Sequence, residues 1–151
     1  MKVIIVIIRL FASQRWLMRI LGIDYGTKKI GLAISDETNT IALPLSVIDS
    51  DENSIDEIKR ITEINNITRI VVGLPMTLSG MKGKRAQETE DFIDKLREVL
   101  DIEIVEWDER MSTRFSERIL NNANVKGRKN KKKVIDKIAA TFILQGYLDS
   151  L

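Results

Sequence analysis

The chain has 151 residues, 44% of them hydrophobic and 30% charged, with a formal net charge of +2 and neither histidine nor cysteine. That length and balance fit one ordinary globular domain with a real core. The missing residue types exclude a Ser-His-Asp triad, a cysteine nucleophile, zinc or iron–sulfur ligation and any disulfide. Hydrolytic chemistry would have to run through carboxylates, hydroxyls, lysine or a hard cation held by oxygen, and with 22 acidic residues a Mg²⁺ or Mn²⁺ site is the natural solution. Any nucleic-acid footprint must lie in the distribution of charge rather than in its total.

The run Val3-Ile4-Ile5-Val6-Ile7-Ile8 is strongly apolar but ends at Arg9, too short to span a bilayer and without a clear small-residue cleavage site after it. Met18 stands directly before the first strong strand. Residues 1–17 therefore read as an extension outside a core domain of residues 18–151, or as an extra element on an edge. An unpaired run of that kind is an aggregation hazard.

Residues 19–24 read as a buried strand that carries Asp24 to its end and turns through Gly26. Residues 29–35 form a second strand, 36–40 a turn, and 41–48 a third strand in which Pro44 marks an edge or a bulge. Three strands in quick succession predict an antiparallel meander. The period then changes: Ile55, Ile58, Ile61 and Ile64 recur every three residues, predicting an amphipathic helix whose positive end suits Asp51 and Glu52. Residues 69–74 are a short buried strand stopped by Pro75, and 76–83, with Gly80 and Gly83, read as a mobile loop. A helix over about 84–100 turns Phe92, Ile93, Leu96 and Leu100 inward. Ile102 to Trp107 alternates as a fifth strand and ends in Asp108-Glu109-Arg110. A short helix from Ser112 to Asn121, capped by Ser112 or Thr113, is broken at Asn121–Asn124. Residues 126–133 then place six cations in eight residues, ahead of a last helix, from about 132 to 149, that is apolar on most of its circumference. The order βββαβαβαα predicts an α/β fold with three antiparallel strands followed by crossover helices.

Three acidic positions share one property: each lies where a buried element ends or begins. Asp24 closes strand one, Asp108 and Glu109 close strand five, and Asp136 lies in the first turns of the last helix, on one stripe with Ala139, Ala140, Ile143 and Tyr147. Taken singly, Asp24 is a turn residue, Asp136 a helix-dipole partner or an ion pair with Lys132 or Lys133, and Asp108-Glu109 a solvated loop. Taken together, they would converge at one sheet edge, where carboxylates cannot all stay ionised without a cation. Bound divalent ions would relieve that repulsion and support water attack on a phosphodiester. Thr27 and the Gly26 backbone could approach a substrate phosphate, with Arg110 on its charge. The basic run of Lys126, Arg128, Lys129, Lys131, Lys132 and Lys133, otherwise a solvated face, is placed to follow a nucleic-acid backbone. Lys82, Lys84 and Arg85 extend the same surface.

Four stretches resemble the YqgF/RuvX family of pre-16S rRNA nucleases and Holliday junction resolvases. They are Gly22-Ile23-Asp24-Tyr25-Gly26-Thr27-Lys28-Lys29-Ile30-Gly31, Val71-Val72-Gly73-Leu74-Pro75, Asp108-Glu109-Arg110-Met111-Ser112-Thr113, and Asp136-Lys137-Ile138-Ala139-Ala140 continuing through Ile143-Leu144-Gln145-Gly146-Tyr147-Leu148. In that order they span nearly all of 18–151. The resemblance implies an RNase H-like fold, a mixed five-stranded sheet with helices on both faces, in a cytoplasmic bacterial protein. It implies catalytic acids at Asp24, Glu109 and Asp136, a Mg²⁺ or Mn²⁺ site at Asp24, Asp108, Glu109 and Asp136, and nucleic-acid contacts that include Thr27 and Lys28. The partner would be precursor rRNA or branched DNA, with no membrane, and the protein a monomer or homodimer. One departure stands out. Other RNase H-like nucleases carry an acid at the end of strand four, where this chain has Gly73-Leu74-Pro75, so Glu109 must substitute, with Asp108 able to share or take that role. Two further readings remain. Asp24-Tyr25-Gly26-Thr27 resembles the first phosphate-binding motif of actin-like and sugar-kinase ATPases, which need two such domains. A non-catalytic nucleic-acid-binding module would keep the fold and the basic loop.

Overall fold

The structure is a computed structural model that describes residues 18–110 and 128–151, with the side chains of 128–137 outside that description. In chain order the described elements are β1 (Arg19–Tyr25), β2 (Lys29–Ser35), β3 (Ala42–Asp49), α1 (Ser54–Ile64), β4 (Ile67–Leu74), α2 (Lys84–Val99), β5 (Glu103–Asp108) and α3 (Arg128–Asp149). The strands form one sheet in the order β3-β2-β1-β4-β5. β1, β2 and β3 pair antiparallel as the expected meander, while β4 on β1 and β5 on β4 are parallel, reached through the α1 and α2 crossovers. The helix expected over 112–121 lies outside the described residues.

Strand alternation divides the core into two layers. Leu21, Ile23, Ile70 and Val72 point to one face, where Ile58 of α1 and Phe92, Ile93 and Leu96 of α2 close over them. Ile20, Ala33 and Val71 point to the other, against Ala140, Ile143, Leu144, Tyr147 and Leu148 of α3. The sheet is thus covered by helices on both faces, as the mixed α/β reading requires. The rotation of α3 is set at its far end by Gln145, whose Oε1 accepts from the Ala42 N–H at 2.9 Å and whose Nε2 donates to the Thr40 carbonyl at 3.0 Å. No described helix is long and apolar enough to cross a membrane.

Several expectations shift in detail. Pro44 lies on the edge strand and also next to an irregularity, because the β2–β3 register slips between Leu32 and Ala33. In α1, Ile58 is fully buried, but Ile64 is 66% exposed and Thr62 takes the inward place. The reason is angular: a spacing of three falls about 60° short of a full turn at each step, so Ile64 ends up roughly opposite Ile55. The last helix already includes residues 128–131, placed ahead of it in the sequence reading, and lysine and arginine are good helix formers. The segment after Pro75, read as a loop, contains a small hairpin in which Met76 pairs with Lys82.

Candidate active site

Asp24 is the last but one residue of β1 and pairs across the strands with Gly31. The strand end is held from the opposite face by Tyr25, which stacks on Phe92 of α2 with ring centroids 4.4 Å apart. β5 ends beside β4, and the Glu109 N–H donates to the Leu74 carbonyl at 3.2 Å. This places residue 109 at the end of β4. Its side chain then lies over Gly73, where a Cβ would come within 2.9 Å of Glu109 Oε1 and 2.4 Å of Ile143 Cδ1. The bare backbone at the end of β4 is therefore what admits the carboxylate from the next strand.

Asp24 and Glu109 meet. Burial pushes the Glu109 carboxyl up from 4.5 to about 7, the negative charge of Asp24 and a side-chain hydrogen bond to it push the same way, and nearby Arg85 opposes them. Two carboxyl groups hydrogen-bond only if one holds a proton, and Glu109 is the group that holds it. Asp108 points elsewhere. Arg110 clamps it, Nε lying 3.0 Å from both carboxylate oxygens and a terminal nitrogen 2.5 Å from Oδ2, and that guanidinium keeps its carboxyl below the usual range. Asp136 lies on α3 one turn before Ala140, and Ala140 Cβ is 3.6 Å from where a Cβ on Gly31 would be. The Asp136 side chain is outside the description. Among the described residues no group of three potential metal ligands is gathered, so these residues alone contribute two facing carboxylates.

Beside this pair runs a cleft of about 460 Å³, lined by the β1–β2 turn from Tyr25 to Lys29 and by Lys84, Arg85, Glu88 and Thr89 of α2. It gathers four of the expected nucleic-acid residues, Thr27, Lys28, Lys84 and Arg85, and adds Lys29 and Thr89. Lys29 is paired with Asp49, and Lys84 approaches Glu88 at 3.8 Å. Arg110 is bound to Asp108 and covers Gly80. Lys126 falls outside the described residues. Arg128, Lys129, Lys131 and Lys132 lie in the opening turns of α3, with undescribed side chains.

Gly73, noted in the sequence only as the place where strand four lacks an acid, shapes the site sterically, and so do Gly22 and Gly31, which were not singled out for it. All three lie inside strands, where glycine weakens the element unless another backbone or side chain must come close, and that was the available signal. At Gly22 a Cβ would lie 2.6 Å from Leu144 Cβ and 3.0 Å from the Ala140 carbonyl oxygen, so α3 rests directly on β1.

A pH test follows. The folded protein holds the Glu109 proton up to about pH 7, whereas the unfolded chain releases it near 4.5. Between those values the folded state binds more protons, so stability should fall as pH rises through the window and level off above it. Thermal melts in chelator at pH 5, 6, 7 and 8 check this. Asp36, whose carboxyl is held at about 2 by backbone and Thr38 hydrogen bonds, titrates below the window and does not obscure it.

The comparisons with known proteins agree with this architecture. The family model described as "RuvX: Holliday junction resolvase" matches residues 18–150. A Bacillus cytotoxicus protein named "Putative pre-16S rRNA nuclease" is 45% identical over 137 residues, covering 88% of this chain and 99% of its own length. A Bacillus cereus protein of the same name is 46% identical with the same coverage. Among solved structures, Thermus thermophilus RuvC in complex with a Holliday junction substrate superposes with a TM-score of 0.55 at 10% identity, over 88% of this chain and 96% of that one. At that identity the likeness speaks to the RNase H-like fold alone. With a family model spanning 133 of its residues and relatives this similar along nearly their whole length, the chain belongs to the RuvX family.

Proposed function

We propose that this protein is a divalent-metal-dependent endonuclease that hydrolyses phosphodiesters, acting in 5′-end processing of precursor 16S rRNA. The observation that carries the reading is the Asp24–Glu109 pair: a carboxyl group hydrogen-bonded to a second one at the strand ends, pushed up to about 7 by its burial first and by the charge of Asp24 next. A shared proton at a carboxylate pair marks a place where a cation can take its position. The donor set fits Mg²⁺ or Mn²⁺, since it is all oxygen and the chain has no histidine or cysteine to favour a softer metal. Asp24 and Glu109 would hold the metal with Asp136 as third donor, while Asp108 anchors Arg110. Bound there, such ions supply charge neutralisation and activation of water for in-line attack.

The chain's own groups do the rest. To serve as a ligand, Glu109 would have to release its proton to solvent. The Gly26 backbone, Thr27, Lys28, Lys84 and Arg85 receive the substrate's phosphates in the cleft, and the run from Lys126 to Lys133 follows its backbone. Such contacts give affinity and salt dependence rather than sequence readout. The names of the Bacillus relatives favour precursor rRNA as substrate. The description of the family model favours a second reading, resolution of four-way DNA junctions, which would call for a two-fold dimer making paired cuts. We place the protein in the cytoplasm and read residues 1–17 as an extension outside the nuclease domain, in keeping with a family match that starts at residue 18.

The test sets labelled precursor 16S rRNA beside a four-way DNA junction, each with Mg²⁺, Mn²⁺ or chelator, and with Asp24→Asn as the control. Metal-dependent cleavage of the RNA, absent in the variant, is the expected result. Cleavage of the junction alone would move the protein to the resolvase reading. Binding of both without cleavage in any metal would leave a nucleic-acid-binding module.

A further inference from the structure

Apolar exposure is concentrated on one strand. Ile41 is 54%, Leu43 48%, Leu45 37% and Val47 47% exposed, and all four lie on or directly before β3, the edge strand of the sheet. No charged residue stands between Ile41 and Ile48, although charge is the usual means of blunting an exposed edge. Part of the backbone edge is open as well. The Ser50 N–H donates to the Lys28 carbonyl at 3.0 Å, and antiparallel pairs alternate between bonded and non-bonded. With Lys29 opposite Asp49 and Gly31 opposite Val47, Val47 and Asp49 therefore turn their N–H and C=O groups away from β2. The other end of the strand is closed: the Ala42 N–H is taken by Gln145 of α3, and Pro44 has no N–H to offer.

The chain itself carries a segment of matching chemistry. Residues 1–17 lie outside the described residues, and within them Val3–Ile8 is a run of six β-branched apolar residues. Such residues favour the extended conformation, and left in water a run of this kind promotes aggregation. Its tether is fixed at the right end of the sheet. Asn39 Nδ2 donates to the Met18 carbonyl at 3.0 Å, and Arg19 pairs with Glu37. The chain therefore enters β1 beside the β2–β3 turn, close to Ile41. The outer edge of β3 is two strand spacings from β1, about 10 Å, whereas a nine-residue link over 9–17 reaches up to about 30 Å. β1 and β3 both run antiparallel to β2 and so start at the same end of the sheet. A segment leading into that end lies antiparallel to β3, with Ile8 toward Ala42 and Val3 toward Val47.

We propose that Val3–Ile8 docks along the outer edge of β3 and covers Leu43, Leu45 and Val47, with backbone pairing confined to the Val47–Asp49 end. The edge is thereby shielded by a segment that lies outside the family match, and the inference is independent of the nuclease reading.

The chain has no cysteine, so a single introduced thiol reports alone. Leu43→Cys, Val47→Cys and Leu78→Cys are each made in the full chain, once in the parent background and once with Ile5→Asp and Ile7→Asp, and the rate of maleimide labelling is measured. Leu78, 99% exposed, is the uncovered reference. Leu43→Cys and Val47→Cys should label about tenfold more slowly in the parent background than with the two aspartates, at every protein concentration, while Leu78→Cys labels equally in both. Melting curves establish that each protein is folded at the labelling temperature, and a background that is not is replaced by Ile5→Ser with Ile7→Ser. Equal labelling of Leu43→Cys and Val47→Cys in the two backgrounds would overturn the proposal. Slow labelling that rises on dilution, as light scattering follows a dimer into monomers, would overturn it in favour of a second copy on this edge.

Discussion

Replacing Glu109 by glutamine should remove nearly all cleavage and, in the same molecule, make the metal-free protein more stable at neutral and alkaline pH. The two effects have one origin. Glu109 is mostly buried and faces Asp24, so its negative charge is opposed by the loss of solvent and by a like charge. Glutamine keeps the shape, carries no charge and can donate its amide N–H to Asp24. The fall in stability between pH 4.5 and 7 should therefore flatten in Glu109→Gln, with the largest gain over the parent at pH 8. On the mechanism proposed above, a divalent cation would lose one of its ligands and the transition state part of its preorganised charge, an expected deficit of about 10²–10³-fold or more in kcat. Added Mg²⁺ should raise the parent's melting temperature more at pH 8 than at pH 5, and that of Glu109→Gln little at either. Melts and single-turnover cleavage on one preparation check all of this. A variant destabilised at pH 8, or one that cleaves normally, would contradict the role given to the pair.

The second large effect is steric and separates three glycines on one sheet face. At Gly22 even an alanine Cβ would lie 2.6 Å from Leu144 Cβ and 3.0 Å from a backbone oxygen of α3. Neither atom is the end of a flexible side chain, so the whole helix must move. Gly22→Ala should cost about 2–3 kcal/mol and lower the melting temperature by about 5–10 °C. Cleavage should fall as well if α3 carries in Asp136 the third acid proposed above. At Gly31 the nearest atoms are Ala140 Cβ at 3.6 Å and Asp24 Cβ at 3.7 Å. These are ordinary contacts, and Gly31→Ala should fold with little change. At Gly73 the close atoms are Ile143 Cδ1 and Glu109 Oε1, both side-chain ends. Gly73→Ala should therefore keep most of its stability and lose cleavage, by pushing the carboxylate aside. The order of the three melting temperatures, with Gly22→Ala lowest, is the check.

Much of this architecture was legible from local pattern. The meander, the parallel strands that follow and the inward faces of α1 and α2 come from period and turn chemistry, which act over a few residues. The acids at Asp24 and Glu109 were legible as strand-end carboxylates. The choice between Asp108 and Glu109 was not. Which of the two faces Asp24 depends on Arg110 folding back onto Asp108 and on the bare position at Gly73, thirty-six residues before Glu109 along the chain, and no local signal fixes either. The hairpin at 76–82 was hidden for a related reason. Gly80 within it and Gly83 just after it read as slack, while its order comes from the Thr77 hydroxyl, Glu90 and Arg110. Ile64 was misplaced because a strict spacing of three does not keep step with 3.6 residues per turn.

The bare position at the end of β4 has a consequence for how such proteins are compared. A column-by-column alignment with nucleases that carry an acid on that strand finds a glycine there and scores a dead enzyme. In this chain the Glu109 side chain, carried by the neighbouring strand, lies over that bare position. A carboxyl group can thus occupy the end of a strand to which it does not belong. A glycine facing an acid on the adjacent parallel strand is therefore a joint signature, informative as a pair and misleading when either half is read alone.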